Sequence, residues 1–307
     1  GHTWVGAGLA QMIEEARWRF GVLRINAAFT LANAGYDSDI YYGYLPEPAP
    51  DFTLAASIPV QVLLPVSKKV VLEFSDSPQY VFYLDAGKER AWNNAFRGQL
   101  HIAMNRIYFQ AGVGLSNVRE RSSSPELNIN VRLKQDRLNG TLLLQLSQRT
   151  SLALIYGGAD YDYGDTEVGG VRIAETLNRR EHFFDLVPEI QISPGVRLFM
   201  DGQFGIYEFA EDVMAYRNAR SYGIFGGLNF IASEAGSNRP GGIQGGFGLG
   251  YMRLDIKNPE QIDGSGFAGE AHISIGLLEK TTGRIFFSRG HQFSVYSGST
   301  YYIATIY

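Results

Sequence analysis

The sequence predicts an all-β chain, a closed antiparallel transmembrane β-barrel of about 14 strands with short turns on one rim and long loops on the other. Three observations predict it. The first is composition. Of 307 residues, 36 are Gly, about 12% against a usual figure of about 7%. Tyr and Phe are abundant at 18 and 19, and charged residues make up only 19%, below the roughly 25% of an average soluble domain. The second is an apolar period of two, sustained over segments longer than the usual 5–6-residue strand. The third is that the connections between these segments alternate in length.

The same composition removes several function classes. Cysteine is absent, which excludes a disulfide scaffold, a thiolate metal site and a cysteine nucleophile. A net charge of −4 argues against a nucleic-acid partner. No run of 18 apolar residues is present, so no transmembrane helix is expected. A barrel strand needs only about 9–11 residues, every second one facing lipid. Gly1-His2-Thr3-Trp4 lacks the charged and apolar regions of a signal peptide, so the chain reads as mature or trimmed.

The elements follow in order. Residues 1–20 carry Leu9, Met12, Ile13 and Ala16 at helical spacing. They read as a short periplasmic N-terminal segment, either a helix or an extra strand, ahead of a barrel over 21–307. Strands are expected at 23–31, 51–64, 69–82, 95–104, 107–117, 138–147 and 150–158. They continue at 182–192, 196–208, 219–231, 242–256, 265–278, 283–289 and 299–307. Sixteen strands follow if residues 3–13 add one and a missing segment completes the pair. Segment 51–64 is the model case: Phe52, Leu54, Ala56, Ile58, Val60, Val62 and Leu64 fill one face over roughly 40 Å. Short connections fall at 65–68, 105–106, 148–149, 193–195 and 279–282. Long ones fall at 32–50, 83–94, 118–137, 159–181, 209–218 and 257–264, and 232–241 is longer than its place in the alternation predicts. Loops such as 122–125 and 162–165 are polar and turn-rich. A two-residue turn at Asn105-Arg106 pairs Leu100 with Ala111 and His101 with Gln110, so apolar meets apolar and polar meets polar.

Phase then assigns the faces. Leu54, Ile58, Val62, Leu100, Ile102, Ile107, Phe109, Val113, Leu186, Ile190, Leu198, Phe204, Leu228, Phe247 and Ile273 should face lipid. The alternate positions should line a pore: Arg24, Gln61, Arg97, Gln99, His101, Tyr108, Gln110, Asp185, Glu189, Arg197, Asp201, Gln203, Glu270 and His272, with Asn26 and Glu73 on the same face. Inward Gly at 112, 114, 205, 246, 248 and 250 should leave room on one wall for a solute or a plug. Tyr36, Tyr80, Phe82, Tyr83, Tyr156, Tyr207, Tyr251, Tyr301 and Tyr302 sit near strand ends, as interfacial girdles do.

Three stretches carry a family resemblance. Ala34-Gly35-Tyr36-Asp37-Ser38-Asp39, Leu144-Gln145-Leu146-Ser147-Gln148-Arg149-Thr150-Ser151-Leu152 and Phe287-Ser288-Arg289-Gly290 resemble elements of the bacterial outer-membrane barrels of the beta-barrel porin 2 type. The resemblance implies an outer-membrane pore, in some members tied to exopolysaccharide export, and supplies no catalytic residue to carry over. The final strand, ending on Tyr307, resembles the aromatic signal read by the outer-membrane insertion machinery.

Catalytic patterns are not in view. His2, His101, His182, His272 and His291 form no HExxH or other metal-ligand spacing. No GxSxG and no CxxCH occurs. The Gly-rich run over 241–250 reads as a strand with small inward residues, since no P-loop Lys follows it. No cofactor and no enzyme activity are expected. The first functional expectation is an outer-membrane porin-like channel for passage or export of hydrophilic solutes, polysaccharide among them. The alternative is a structural barrel that sheathes or anchors a partner, such as a multihaem electron conduit or a secretion component. A membrane lipase or protease is a distant third. The partners implied are outer-membrane lipids, a hydrophilic solute and, in the alternative, a lumen-filling or periplasmic protein.

Overall fold

The computed structural model describes residues 4–40, 47–121, 130–168, 170–231, 242–258, 260, 263–278, 281–294 and 301–306. The 122–125 loop, the 232–241 connection, His2 and the terminal Tyr307 lie outside the described residues. One helix opens the chain, α1 (Trp4–Glu14). Among the described residues twenty strands follow, all in antiparallel pairs where a register is given. They are β1 (Trp18–Phe20), β2 (Leu23–Ala27), β3 (Thr30–Asp37), β4 (Asp51–Ser57), β5 (Val60–Pro65), β6 (Val70–Asp76) and β7 (Gln79–Tyr83). Next come β8 (Ala91–Ala103), β9 (Ile107–Arg121), β10 (Asn130–Gln145), β11 (Thr150–Tyr163), β12 (Glu167–Val168) and β13 (Val171–Arg172). After a five-residue helix, α2 (Ile173–Leu177), the chain continues through β14 (Arg179–Ser193), β15 (Val196–Phe209), β16 (Ala219–Ile231) and β17 (Ile243–Ile256). It ends with β18 (Gly264–Leu278), β19 (Thr281–Phe293) and β20 (Tyr301–Ile306). Eighteen strands belong to one sheet, and β12 and β13 form a separate ribbon. No described helix is long and apolar enough to cross a membrane.

The expected 14 segments are all strands, but the count is 20 for two reasons. Short strands β1, β12 and β13 were not foreseen, and three expected strands are each broken in two. Segment 23–31 divides into β2 and β3, 51–64 into β4 and β5, and 69–82 into β6 and β7. Two of the breaks fall at Pro59 and Pro78, whose nitrogens have no proton to give a ladder. The breaks line up. Ala28 N–H donates to Pro59 O, Ile58 N–H to Pro78 O and Ser77 N–H to Ala95 O, each at 3.1 Å. They form a crease that separates a β2–β5–β6–β8 ladder from a β3–β4–β7–β8 ladder. Only β8 runs through it. The expectation of a closed barrel is also corrected: among the described residues the sheet is open, and β20 is paired with β19.

The chain forms two compact units. The first comprises residues 1–140, 157–180 and 209–211, and the second 141–156, 181–208 and 212–307. In the first, α1 resolves the open reading of the N-terminal segment in favour of a helix. Its Leu9 is buried with Leu63 of β5 and Val71 of β6, and Ile13 packs on the same cluster. Burying a leucine stabilises by about 1.5–3 kcal/mol, which fixes the helix on this face.

Four of the short turns, at 65–68, 105–106, 148–149 and 193–195, fall where expected, and residues 279–280 of the fifth lie outside the described residues. Two use one device: Ser67 Oγ accepts from Lys69 and Val70 N–H (3.2 and 3.1 Å), and Ser147 Oγ from Arg149 and Thr150 N–H (both 3.1 Å). The serine replaces backbone partners that a tight turn leaves empty. In the 193–195 turn, Gly195 has φ 80°, a conformation that costs glycine nothing. The Asn105-Arg106 hairpin has the expected register, Leu100 opposite Ala111 and His101 opposite Gln110.

Candidate functional site

Residues directly opposite in an antiparallel ladder share a face, so the registers show which of the expected pore-lining residues stand together. In the first unit Asn26 lies opposite Gln61, Gln61 opposite Ser75, and Ser75 opposite Arg97. Arg24 lies opposite Leu63, Leu63 opposite Glu73, and Glu73 opposite Gln99. Val71 faces His101, His101 faces Gln110 and Ala103 faces Tyr108. All seven expected pore residues of this unit therefore stand on one face, the face that carries α1.

These side chains form a continuous polar chain across five strands. Asn26 Nδ2 donates to Gln61 Oε1 (3.1 Å), and Gln61 Nε2 donates to Glu73 Oε1 (2.8 Å). His101 Nε2 lies 2.9 Å from Glu73 Oε2, and its Nδ1 lies 2.7 Å from the Tyr108 hydroxyl. Tyr108 in turn donates to Gln110 Oε1 at 3.3 Å. The side chains of His101 and Glu73 are 6% and 12% exposed. Burial at that level is tolerable only because both carboxylate oxygens and both ring nitrogens have partners. Arg24 stands aside at the turn, where its Nη1 donates to Gly21 O (2.6 Å) and Leu23 O (3.0 Å). Arg97 is exposed.

The second unit repeats the arrangement with different residues. Arg197 is opposite Asn229, Asn229 opposite Gly246, and Gly246 opposite His272. Phe199, Gly227, Gly248, Glu270 and Ser288 follow one another across five strands in the same way. Asp201 and Gln203 alternate in phase with them, and Gln203 Nε2 donates to Asp201 Oδ2 at 2.7 Å. Glu189 joins this face through Arg197, whose Nη1 is 3.7 Å from its Oε2, and Asp185 lies in phase with Glu189 on β14. Seven more of the expected residues thus share a second face.

The opposite faces are apolar. Leu186, Ile190, Leu198, Phe247 and Ile273 are exposed in the second unit, as is Val113 in the first. Near one end an aromatic row crosses adjacent strands. Ring centroids are 5.1 Å apart for Tyr156–Phe184, 6.3 Å for Phe184–Phe204 and 5.3 Å for Phe204–Tyr222. Tyr251 and Phe267 meet edge to face at 6.3 Å. Just beyond, Arg253 pairs with Asp255 and Asp263. An apolar band ending in aromatics and then charge is the pattern of a lipid-facing barrel wall. Three expected girdle residues are not in it. Tyr83 lies opposite buried Thr53 and Tyr207 alternates in phase with Asp201 and Gln203, so both belong to the polar face; Tyr207 and Tyr301 pack on the buried Ala219, Leu254 and Ile256, Tyr301 from the end of β20 opposite Phe293.

Apart from Gly114, where a Cβ would come no closer than 3.5 Å to Arg137 Cβ, the inward glycines do not leave the room expected of them. A Cβ on Gly227 would meet the Phe247 carbonyl oxygen and lie 2.7 Å from Phe199 Cζ, and one on Gly248 would lie 3.1 Å from the same atom. Phe225 Cδ1 lies 2.5 Å from the Cβ position of Gly250, and His272 Cε1 lies 3.1 Å from that of Gly246. At Gly112 the neighbours are Asn139 Oδ1 and Gln99 Cγ, both at 3.0 Å. Adjacent strands lay their side chains over the bare backbone, as aromatic cover of sheet glycines does.

Sequence reasoning missed α1 on the polar face and the end of β19. The β18–β19 ladder stops at Gly269–Arg289, while β19 runs on with β20 to Phe293. This extension turns over the polar face. His291 Nδ1 comes within 3.4 Å of Met252 Sδ, the Phe293 ring lies 5.0 Å from that of Tyr207, and Arg217 donates to Ser294 O. The only signal was Gly290, which weakens a strand where it turns.

The family described as "Putative beta-barrel porin 2" matches residues 70–307. Among solved structures, an outer membrane channel from Pseudomonas putida F1 is similar, with a TM-score of 0.46 and 12% sequence identity. The likeness covers 84% of this chain and 96% of that one. No curated protein matches the chain.

Proposed function

The chain belongs to the putative beta-barrel porin 2 family of the bacterial outer membrane, and from that premise we propose that it is a channel for hydrophilic solutes and not an enzyme. The observation that carries the reading is the division of faces. Fourteen polar or ionisable residues, set by alternation and register, stand on faces opposite to exposed apolar ones. In a bilayer an unpaired polar group facing hydrocarbon costs several kcal/mol, so these faces belong to a water-filled interior of a sheet that closes in the membrane. Outer-membrane lipids cover the other side. The mixed signs of Asp185, Glu189, Arg197 and Asp201 suit a wet passage with a transverse field better than a pathway for one ion. Exopolysaccharide is the finer substrate reading, resting on family resemblance alone.

Planar-bilayer recording tests this. The pure protein should conduct, and replacing Asp185, Glu189 and Asp201 by their amides should shift cation/anion selectivity toward anions while the fold persists. Zero current through folded protein would overturn the channel and favour a barrel built around a partner.

A further inference from the structure

We propose that the short-turn rim of the first unit is a docking surface for anionic phospholipid headgroups. The inference rests on the reading of the outward face as covered by lipid. The registers bring three turns to one rim. Arg24, at the start of β2, lies opposite Leu63, near the end of β5. Val70, at the start of β6, lies opposite Ile102, just before the β8–β9 turn. The β1–β2, β5–β6 and β8–β9 turns therefore lie side by side, roughly 10 Å apart at about 4.8 Å per strand.

This rim is basic in an acidic chain. Six cations, Arg17, Arg19, Arg24, Lys68, Lys69 and Arg106, stand there with two carboxylates, Glu14 and Glu15, although the chain has a net charge of −4. Among the described residues none of the six is paired with a carboxylate. Arg17, Arg19 and Arg24 donate to main-chain carbonyls, which leaves their charge unmatched, and Lys68, Lys69 and Arg106 are exposed. The other end of the unit is built differently. There Arg119 pairs with Glu89 and Arg180 with Asp160, each at 3.0 Å. Unmatched cations on one rim call for an anion from outside.

The apolar side chains beside them define its kind. Trp18 lies opposite Ile25, and Ile25 opposite outward-facing Val62, so β1 points Trp18 and Phe20 to the lipid side. Both are exposed, as are Val66 in the second turn and Met104 and Ile107 in the third. A soluble anion satisfies the charges and leaves these side chains in water. A bilayer surface takes both, with Trp at headgroup level and Lys and Arg reaching the phosphates. The three turns spread over roughly 20 Å, too far for one phosphate to bridge, so they suit several headgroups of one leaflet. An anionic surface attracts such cations within about a Debye length.

Trp18 reports on the rim. The full chain carrying Trp4→Phe and Trp92→Phe keeps it as the one tryptophan. In phosphatidylcholine vesicles it is quenched with brominated phosphatidylglycerol or brominated phosphatidylcholine. Quenching should show at least a threefold preference for phosphatidylglycerol, lost in about 1 M salt, where the Debye length is about 3 Å. Trp92, kept alone in a second chain, stands at the other end of β8 and should show no such preference. Arg19→Gln, Lys68→Gln and Lys69→Gln together, all at exposed positions, should abolish it at Trp18 while the protein folds. Inorganic phosphate at matched ionic strength should leave it intact. The proposal fails if Trp18 shows no preference, if Trp92 shows the same one, if the folded triple variant keeps it, or if phosphate removes it. Conductance is read separately: a preference without current supports the rim and overturns the channel, while current without a preference overturns the rim alone.

Discussion

His101 shows what one buried side chain does here. It joins Glu73 to Tyr108, so both ring nitrogens have an assigned partner. His101→Leu keeps much of the volume and leaves the Glu73 carboxylate and the Tyr108 hydroxyl each short of one partner. The expected loss is about 1–3 kcal/mol per unsatisfied group, read as a lower urea midpoint for the protein refolded into lipid vesicles. On the other face, depth sets the cost of a charge. Val113 lies opposite Gly98 in mid-strand, whereas Ile102 lies opposite Phe109 beside the hairpin turn. Val113→Arg should therefore cost about 2–4 kcal/mol, and Ile102→Arg about 0–1. Equal costs in the same vesicle assay would show that the strands are placed wrongly in depth. Much of this scale is legible in the sequence. Alternation places Gln61, Glu73, His101 and Gln110 on one face without coordinates. It cannot place His291, whose strand leaves its ladder after Arg289, because period two describes only a strand that stays in its sheet.

Single elements were legible as positions, less so as continuous strands. The 14 segments are where the pattern puts them, yet a run such as Phe52 to Leu64 keeps its alternation through a break at Pro59. The apolar pattern is indifferent to a lost N–H, and Pro59 was the signal to weigh. The glycines carry a second lesson. Small size in the sequence implies free space, but the neighbouring strand uses it: Phe199 reaches over Gly227 and Gly248. Two adjacent glycines of β16 should respond with opposite sign. Gly227→Ala drives a methyl group into the Phe247 carbonyl and the Phe199 ring, and overpacking of this kind costs about 1–3 kcal/mol. On Gly226 the nearest atom to a new Cβ is Phe199 O at 3.9 Å. With no clash to meet, Gly226→Ala should stabilise by about 0.4–1 kcal/mol by restricting the unfolded chain. Paired denaturation curves check both.

At the scale of the molecule, the polar face of the first unit carries a helix that no catalytic or binding pattern announced. The helical spacing of Leu9 and Ile13 was visible, but their partners Leu63 and Val71 lie fifty or more residues away in sequence, beyond the reach of local pattern. Leu9→Asp removes the buried contact and leaves the sheet untouched. The helix should then detach from the wall, and single-channel conductance in planar bilayers should rise. An unchanged conductance with the helix detached would place α1 outside the path of the current.

The ladders of the second unit have a kinetic consequence. From β15 to β20 each register joins strands that follow one another along the chain. None of these registers waits for a distant partner, so the loop that must close before each ladder forms is short and its entropy cost small. Topologies of this kind have low contact order for their β content and reach their pairings sooner than Greek-key sheets of equal size. A chain entering the membrane can extend its sheet one hairpin at a time. Each finished edge then templates the next strand, and the growing edge is the one place where unpaired backbone waits.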